Sequence, residues 1–208
     1  MQNPFAPPVV LASSSPYRRE LLGRLLADFG CMAPEIDEAP RPGEPPRDLV
    51  RRLARQKADA LSGGQPGALL IGADQVAVLE GRAIGKPGNH ARAVEQLLAA
   101  SGKTMLFLTA ACVLDRRSGH RHEHTDVTQV TFRLFDRPLA EAYLRHDAPY
   151  DCAGSFRIEG AGVVLFESVS TDDPTALIGL PMIWLASVLR ELGCLQPSGA
   201  GPGSPENY

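Results

Sequence analysis

The chain contains 208 residues, of which 44% are hydrophobic and 22% charged, values that are ordinary for a folded globular protein. Its formal net charge of −3 argues against a surface for bulk nucleic acid or anionic membranes, and no apolar run approaches the roughly 20 residues of a membrane-spanning helix. Of the 21 basic residues, 18 are Arg and only three are Lys. Each lysine is therefore a candidate for a role that needs a compact ammonium group: Lys57, Lys86 and Lys103.

The predicted elements alternate between strands and helices, joined by polar loops. Hydrophobic periodicity, helix caps and turn residues predict, in chain order, a buried strand at 8–12, a serine-capped helix from Pro16 to Gly30, an acidic proline-rich loop at 33–46, a helix at 47–62, β structure at 68–79, a tight turn at Glu80-Gly81, a helix at 89–100, a hairpin of strands 104–114 and 125–135, a helix at 138–146, mixed strand and turn at 152–169, and a helix at 181–192. This order predicts an α/β fold around a mixed sheet. We expect one domain at 1–195 and a disordered Pro/Gly/Ser tail at 196–208.

The cysteines and the first ten residues bear on cellular location. The four cysteines stand singly, with no Cys-x-x-Cys spacing and no His at the distance of a zinc ligand. The opening MQNPFAPPVV lacks the basic start and long apolar stretch of a secretory signal. We therefore expect buried, reduced thiols and a cytoplasmic location.

Two loops near the N-terminus carry polar residues that packing does not explain. Residues 13–19 (SSSPYRR) offer hydroxyls, arginines and free backbone amides at a helix start, a combination that binds phosphate; an ordinary helix cap is the alternative. Glu35, Asp37 and Glu38 offer carboxylates of the kind that hold Mg²⁺ or Mn²⁺ together with substrate phosphates. A solvated acidic loop is the alternative at this second position.

Two further segments place charge beside apolar sequence. Asp74 and Gln75 interrupt a hydrophobic run, where burial of an acid is costly, so Asp74 either caps a strand end or lies in a cleft as a base or metal ligand. Lys86, in a Gly-Lys-Pro turn, points an ammonium either into a cleft or into solvent. Lys57 lies beside the apolar stripe of the second helix, and we expect it to point inward toward a negative partner. Lys103 follows a helix stop and is expected to be structural or exposed.

These groups together predict a polyphosphate held with a divalent metal. The chain has no Walker motif and no Gly-x-Gly-x-x-Gly after a strand, which excludes a P-loop NTPase and a Rossmann dinucleotide binder. Two other patches have simpler interpretations. The histidines of residues 120–124 (HRHEH) share one face of an extended segment, as in a transition-metal site, but we interpret them as a solvated hairpin tip. The apolar stripe that begins at Trp184 is interpreted as core or dimer interface.

Several strings resemble the Maf family of nucleoside triphosphate pyrophosphatases. They are LASSSPYRRELL, PEIDE, RLARQKA, IGADQVAVLEGRAIGKPG, ARAVEQLLAASGKT and CAGSFRIEGAG…ALIGLPM, and they follow one another from about residue 9 to 193. The resemblance implies an α/β sandwich around a mixed sheet, with a deep cleft between two lobes, usually in a homodimer. It also implies hydrolysis of a nucleoside triphosphate to a monophosphate and pyrophosphate.

The same resemblance implies a set of site residues. The motif residues of the family fall on six positions: Ser13, Arg18, Glu38, Lys57, Asp74 and Lys86. Our hypothesis is that Asp74 is the general base and that Glu38, with Asp74, holds Mg²⁺ or Mn²⁺. We expect Ser13, Arg18, Lys57 and Lys86 to bind the phosphates.

Three more positions resemble the branch of the family that acts on 7-methyl-GTP: Tyr17, Gln75 and Glu159. The branch that acts on dTTP and UTP typically has Arg, Thr and Gln there. N7-methylated guanine is cationic, so it can stack on Tyr17, while Glu159 can accept hydrogen bonds from the guanine edge and Gln75 can supply a polar contact. Three alternatives remain: dTTP or UTP as substrate, a nucleotide-binding regulator of cell division without turnover, and a purely structural Tyr17 and Glu159.

Overall fold

The computed structural model describes residues 2–3, 5–64 and 66–195, so the predicted tail at 196–208 lies outside the described residues. Within them, strands and helices alternate as follows: β1 (Val9–Ala12), α1 (Pro16–Gly23), β2 (Gly30–Met32), α2 (Pro46–Ala60), β3 (Leu69–Leu79), β4 (Arg82–Ile84), α3 (His90–Ala100), β5 (Thr104–Asp115), β6 (Arg121–Phe132), α4 (Arg137–Asp147), β7 (Phe166–Ser170) and α5 (Met182–Glu191). Short 3₁₀ turns lie between α4 and α5.

The strands form one mixed sheet in the order β2-β1-β3-β5-β6-β7, with β4 paired to β3 outside this path. The first strand is parallel to β2 and β3, whereas β3, β5, β6 and β7 are joined by antiparallel ladders. The predicted α/β class and mixed sheet are thus confirmed. Helices cover both faces: α1 and α5 pack on one face of β1, β3 and β5, α2 packs on the other, and α3 and α4 enclose a second core beyond them.

Strand β3 lacks a strand neighbour along part of one edge, and this gap opens the sheet. The ladder between β1 and β3 ends at the Ala12–Gly72 pair, and the ladder between β3 and β4 begins at the Ala77–Ile84 pair. Residues 73–76 therefore have no strand neighbour on that edge within the described chain. Side chains from both faces of β3 reach the opening, because successive residues of a strand point to opposite faces.

Two predicted boundaries are wrong. Helix α1 ends at Gly23 rather than Gly30, because the leucines that continue its periodicity pack from a turn against the same core, and Gly30 instead begins strand β2. Strand β6 begins at Arg121 rather than at 125, so residues 121–124 are not a solvated tip. His124 stacks on Trp184 with ring centroids 5.5 Å apart, which gives it a packing role.

The cysteines only partly match the expectation of buried thiols. All four are free, and two of them are buried, Cys112 and Cys194. Cys31 is exposed on the edge strand β2, and Cys152 is half-buried. Neither departure creates a metal site, because no group of three or more His, Cys, Asp or Glu is arranged for one in the part of the chain described.

Helix α2 and strand β3 approach so closely at Gly72 that their backbones touch. A Cβ atom at this position would lie 2.1 Å from the Ala54 carbonyl oxygen and 2.6 Å from the Ala58 nitrogen, both in the backbone of α2. Only glycine permits this contact. It brings the turn of α2 from Ala54 to Ala58, which carries Lys57, against the middle of β3.

We expect Gly72→Ala to lower the free energy of unfolding by roughly 2–3 kcal/mol, because the added methyl group pushes α2 off the sheet. Urea unfolding measures the change. Gly63→Ala is the matched control, since a Cβ at Gly63 meets no heavy atom within 4 Å and its backbone is not left-handed. Equal stability of the two variants would contradict the close approach.

Among the described helices, none is both long and apolar enough to cross a bilayer.

Candidate active site

A cleft of about 590 Å³ lies over the gap in β3. Its walls come from the β1–α1 loop, the acidic loop, α2, the middle of β3, the segment after β4, and residues 151–159. The nine side chains that the family resemblance and the mechanistic hypothesis place in the site all line this one cleft: Ser13, Tyr17, Arg18, Glu38, Lys57, Asp74, Gln75, Lys86 and Glu159. Of the other two acids in the acidic loop, Glu35 is exposed, and Asp37 accepts a hydrogen bond from the Ala39 amide.

Lys57 joins two of the carboxylates that line the cleft. Its Nζ lies 2.7 Å from Asp74 Oδ1 and 2.9 Å from Glu38 Oε1. Lys57 is only 6% exposed and Asp74 8%, whereas the Glu38 side chain is 59% exposed and reaches the pair from the loop. The inward orientation predicted for Lys57 is confirmed. Strand β3 is continuous through Asp74, so this acid caps no strand end and instead faces α2 from the middle of the strand.

Burial and charge act in opposite directions on the Asp74 carboxyl. Its burial raises the pKa above the usual range, and the ammonium of Lys57 and the guanidinium of Arg18 partly offset this effect. Burial also lowers the pKa of Arg18, while Asp74 and Glu38 raise it. A carboxylate with a raised pKa is a stronger base than an exposed aspartate, which suits proton abstraction from water.

The β1–α1 loop lines the cleft with hydroxyl and guanidinium donors. Ser15 caps α1 by accepting a hydrogen bond from the Arg18 amide, and the Ser13 hydroxyl accepts one from the Ser15 amide. Arg18 extends along the cleft and donates from Nε to the Gly179 carbonyl. Its two terminal nitrogens form no hydrogen bond with the residues that the structure describes, so they can face an anion.

Lys86 is an exposed cation on the opposite side of the cleft. It forms no ion pair with the residues that the structure describes. The Lys103 ammonium lies elsewhere and pairs with Glu80 at 3.0 Å across an exposed surface, as expected of a structural or exposed lysine.

Gln75 points to the opposite face of β3 from Asp74 and has a structural task. Its Nε2 donates to Thr109 Oγ1 and to the carbonyl oxygens of Ala176 and Leu177, at 2.9–3.0 Å. These bonds hold the 3₁₀ turn that borders the cleft. The amide nitrogen is thus occupied within the protein, and only the amide oxygen remains for the nucleoside contact that was predicted for Gln75.

Tyr17 and Glu159 line a different part of the cleft, together with Cys152 and Arg157. The pKa of Tyr17 is raised by its burial, and the neighbouring Arg157 side chain partly offsets this. Burial raises the pKa of the Cys152 thiol to about 12, so the thiol stays protonated and unreactive at neutral pH. This region offers an aromatic ring and an exposed carboxylate.

The donor set fits a small divalent cation that is shared with a substrate. Two carboxylates, Glu38 and Asp74, lie near each other because both contact the Lys57 ammonium. Mg²⁺ is commonly held by one or two carboxylates and completed by substrate phosphates and water, rather than by an all-protein cage. Among the described residues, no third His, Cys, Asp or Glu joins these two carboxylates in a group arranged to hold a metal ion.

Sequence reasoning missed Arg157, which lies beside Tyr17 in the cleft wall. The signal was present, because Arg157 stands between the apolar residues Phe156 and Ile158 in a segment with no helical period. Charged residues in such a position are rarely placed by packing alone.

Comparison with known proteins identifies the family to which the chain belongs. The family model described as Maf-like protein matches residues 8–192. A 7-methyl-GTP pyrophosphatase of Pseudomonas syringae pv. tomato is 52% identical over 92% of this chain and 100% of its own length. Proteins of the same name from Ralstonia nicotianae and Cupriavidus metallidurans are 51% and 49% identical, over 89% and 93% of this chain and 96% and 97% of their own lengths. The chain therefore belongs to the Maf family.

Proposed function

We propose that this protein is a nucleoside triphosphate pyrophosphatase that hydrolyses 7-methyl-GTP to 7-methyl-GMP and pyrophosphate, and so clears a modified nucleotide. The observation that carries the proposal is a single cleft that combines a buried carboxylate–ammonium cluster with an aromatic ring and a free carboxylate. Relatives about 50% identical over nearly the whole chain bear the name of this activity.

Asp74 is the general base of the proposed reaction. Its carboxylate takes a proton from water, and the water oxygen forms a bond to the α or the β phosphorus. The bond from that same phosphorus to the oxygen that bridges the two phosphates breaks, which releases pyrophosphate. Lys57, which lies 2.7 Å from Asp74, holds the carboxylate in place and adds positive charge beside the phosphates. Ser13, Arg18 and Lys86 bind the phosphate chain and the departing pyrophosphate.

Glu38 and Asp74 would hold the divalent cation, Mg²⁺ or Mn²⁺. When bound, such a cation neutralises phosphate charge and polarises the phosphoryl oxygens. Removal of free metal with EDTA is expected to abolish pyrophosphate release, and added Mg²⁺ or Mn²⁺ to restore it. Undiminished turnover in EDTA would contradict this assignment.

Base recognition falls to Tyr17 and Glu159. A cationic 7-methylguanine ring stacked on Tyr17 gains cation–π attraction of about 1–2 kcal/mol in a partly dry site. The Glu159 carboxylate can accept hydrogen bonds from guanine N1–H and the N2 amino group and also balances the positive charge. Neutral guanine lacks the first interaction, and pyrimidines lack the second.

The decisive experiment measures kcat/KM for pyrophosphate release from 7-methyl-GTP, GTP, dTTP and UTP. We expect kcat/KM for 7-methyl-GTP to exceed kcat/KM for each of the other three nucleotides by about tenfold or more, because unpaired polar groups in the site penalise the wrong base. A preference for dTTP or UTP would assign the chain to the pyrimidine branch. Binding of 7-methyl-GTP without turnover would instead favour a nucleotide-dependent regulator.

A further inference from the structure

Four residues form a thin wall between the cleft and a second cavity. Tyr17, Arg157, Glu159 and Ile178 line both the cleft of about 590 Å³ and a neighbouring cavity of about 210 Å³. Core side chains are held in place by dense packing on every side, and a wall between two cavities lacks much of that packing. Tyr17 and Glu159, which contact the base in the proposed function, therefore need another means of being held.

Hydrogen bonds to acceptors in the C-terminal half of α4 hold this part of the wall in place. The Arg157 amide donates to the Tyr143 hydroxyl at 3.0 Å, and Arg157 Nη2 donates to the Asp147 carbonyl oxygen at 2.9 Å. Two residues beyond Glu159, the Ala161 amide donates to Asp147 Oδ2 at 2.9 Å. Tyr143 is buried, and the Asp147 side chain is only 6% exposed, so both acceptors are fixed. The segment that carries Glu159 is thus attached to α4 on both sides of that residue.

Two glycines make this attachment possible. A Cβ at Gly160 would lie 2.3 Å from Asp147 Oδ2, and a Cβ at Gly162 would lie 2.3 Å from the Arg157 carbonyl oxygen. The segment therefore folds back on itself around Arg157 and against Asp147. Because no side chain fits at either glycine, the polar contacts with Arg157 and Asp147 hold the conformation of this segment.

The Arg157 side chain also connects this segment to α1. Its guanidinium lies beside the Tyr17 side chain in the shared wall, close enough to lower the pKa of the Tyr17 hydroxyl, while Nη2 is bonded to the Asp147 carbonyl oxygen. Its Nε is buried and has no hydrogen-bond partner within the described chain. A buried unpaired donor is unfavourable, so this placement is not the one that maximises stability. Contact with Tyr17 explains the orientation better.

We propose that Arg157 is a positioning residue that sets nucleobase selectivity, because it holds the Tyr17 ring and the Glu159 segment at a fixed separation in the cleft wall. The inference rests on the proposed function for the identity of the base. Arg157 acts through Tyr17 and Glu159 and takes no part in the chemistry at the phosphates. Its charge is offset by Asp147 Oδ1, 3.9 Å from Nη2, so it does not oppose a cationic base strongly.

The test compares Arg157→Met and Arg157→Lys with the wild-type chain on the same four nucleotides. In Arg157→Met we expect the ratio of kcat/KM between the best and second-best nucleotide to fall about tenfold, through a higher KM rather than a lower kcat. Arg157→Lys keeps the positive charge but lacks the planar set of N–H donors of the guanidinium. It should therefore recover part of the kcat/KM ratio between the two nucleotides. Arg145→Met is the matched control, since Arg145 lies on the outer face of α4 with its side chain 63% exposed.

Glu159→Gln is the positive comparison, because it alters the base contact directly. If Glu159→Gln loses selectivity and Arg157→Met keeps it, the role of Arg157 is wrong while the proposed function stands. If the wild-type chain prefers a pyrimidine nucleotide, the proposed function is wrong, and a collapse of that preference in Arg157→Met still supports the positioning role. A wild-type chain that does not discriminate would overturn both. Should Arg157→Met not fold by circular dichroism, the ratio in Arg157→Lys decides: wild-type selectivity there refutes the proposal.

Discussion

Asp74→Asn is expected to lower kcat for 7-methyl-GTP hydrolysis by at least about 100-fold, because the amide cannot accept the proton of the attacking water. The change is nearly isosteric, and Lys57 keeps a partner in Glu38 Oε1 at 2.9 Å. We therefore expect the free energy of unfolding to change by no more than about 1–2 kcal/mol. Pyrophosphate release measures the first quantity and urea unfolding the second.

The control for this variant is Asp59→Asn. Asp59 also pairs with a basic residue, Arg121, at 2.7 Å, but its side chain is 46% exposed and lies outside the cleft. Turnover should stay within about twofold of wild type, since exposed ion pairs contribute little. Binding of a non-hydrolysable α,β-methylene analogue of 7-methyl-GTP should survive in Asp74→Asn. Near-normal turnover in Asp74→Asn would remove Asp74 from the role of base.

The parts of the site that were predictable are those where a residue type conflicts with its surroundings. Asp74 interrupts an apolar strand and Lys57 borders an apolar helical stripe, and each placement is costly unless the two charges meet. The structure shows that they do meet. The two residues are 17 positions apart in sequence, so their pairing depends on how α2 packs on β3. The glycine that permits that packing, Gly72, gave no signal by itself, because only the three-dimensional contact reveals why a side chain is excluded.

The parts that were not predictable depend on tertiary contacts. The leucines after Gly23 keep helical spacing, yet they pack from a turn, since the short strand at Gly30 pairs with β1. Gln75 follows Asp74 directly, and strand alternation sends it to the other face, where its amide nitrogen bonds to a turn about 100 residues later. The charge of Arg157 between two apolar residues could mark it as a candidate, but its place in the cleft wall follows from hydrogen bonds to α4, which neither periodicity nor turn propensity reports.

Lys57→Met is expected to destabilise the protein by about 3–5 kcal/mol at neutral pH, because it leaves the buried Asp74 carboxylate without its bonded cation. The effect differs from that of Asp74→Asn because the cluster is not symmetric. Lys57 has two carboxylate partners, whereas the described side chains give Asp74 a single ion pair, with Lys57. Urea unfolding gives the change. Lys103→Met provides the same substitution in an exposed pair with Glu80, where the loss should be at most about 1 kcal/mol.

The double variant Lys57→Met/Asp74→Asn separates the charge effect from the loss of packing. With both partners neutral, no unpaired charge remains in the cleft, so the double variant should be more stable than Lys57→Met alone. The coupling free energy from the four proteins should be about 1–3 kcal/mol, as found for residues in direct contact. Additive changes, within about 0.5 kcal/mol, would show that the 2.7 Å contact contributes little to folding. A coupling free energy of about 1–3 kcal/mol, together with the loss of turnover in both single variants, would mean that the Lys57–Asp74 pair has two roles. It would stabilise the fold and also hold the base of the reaction in place.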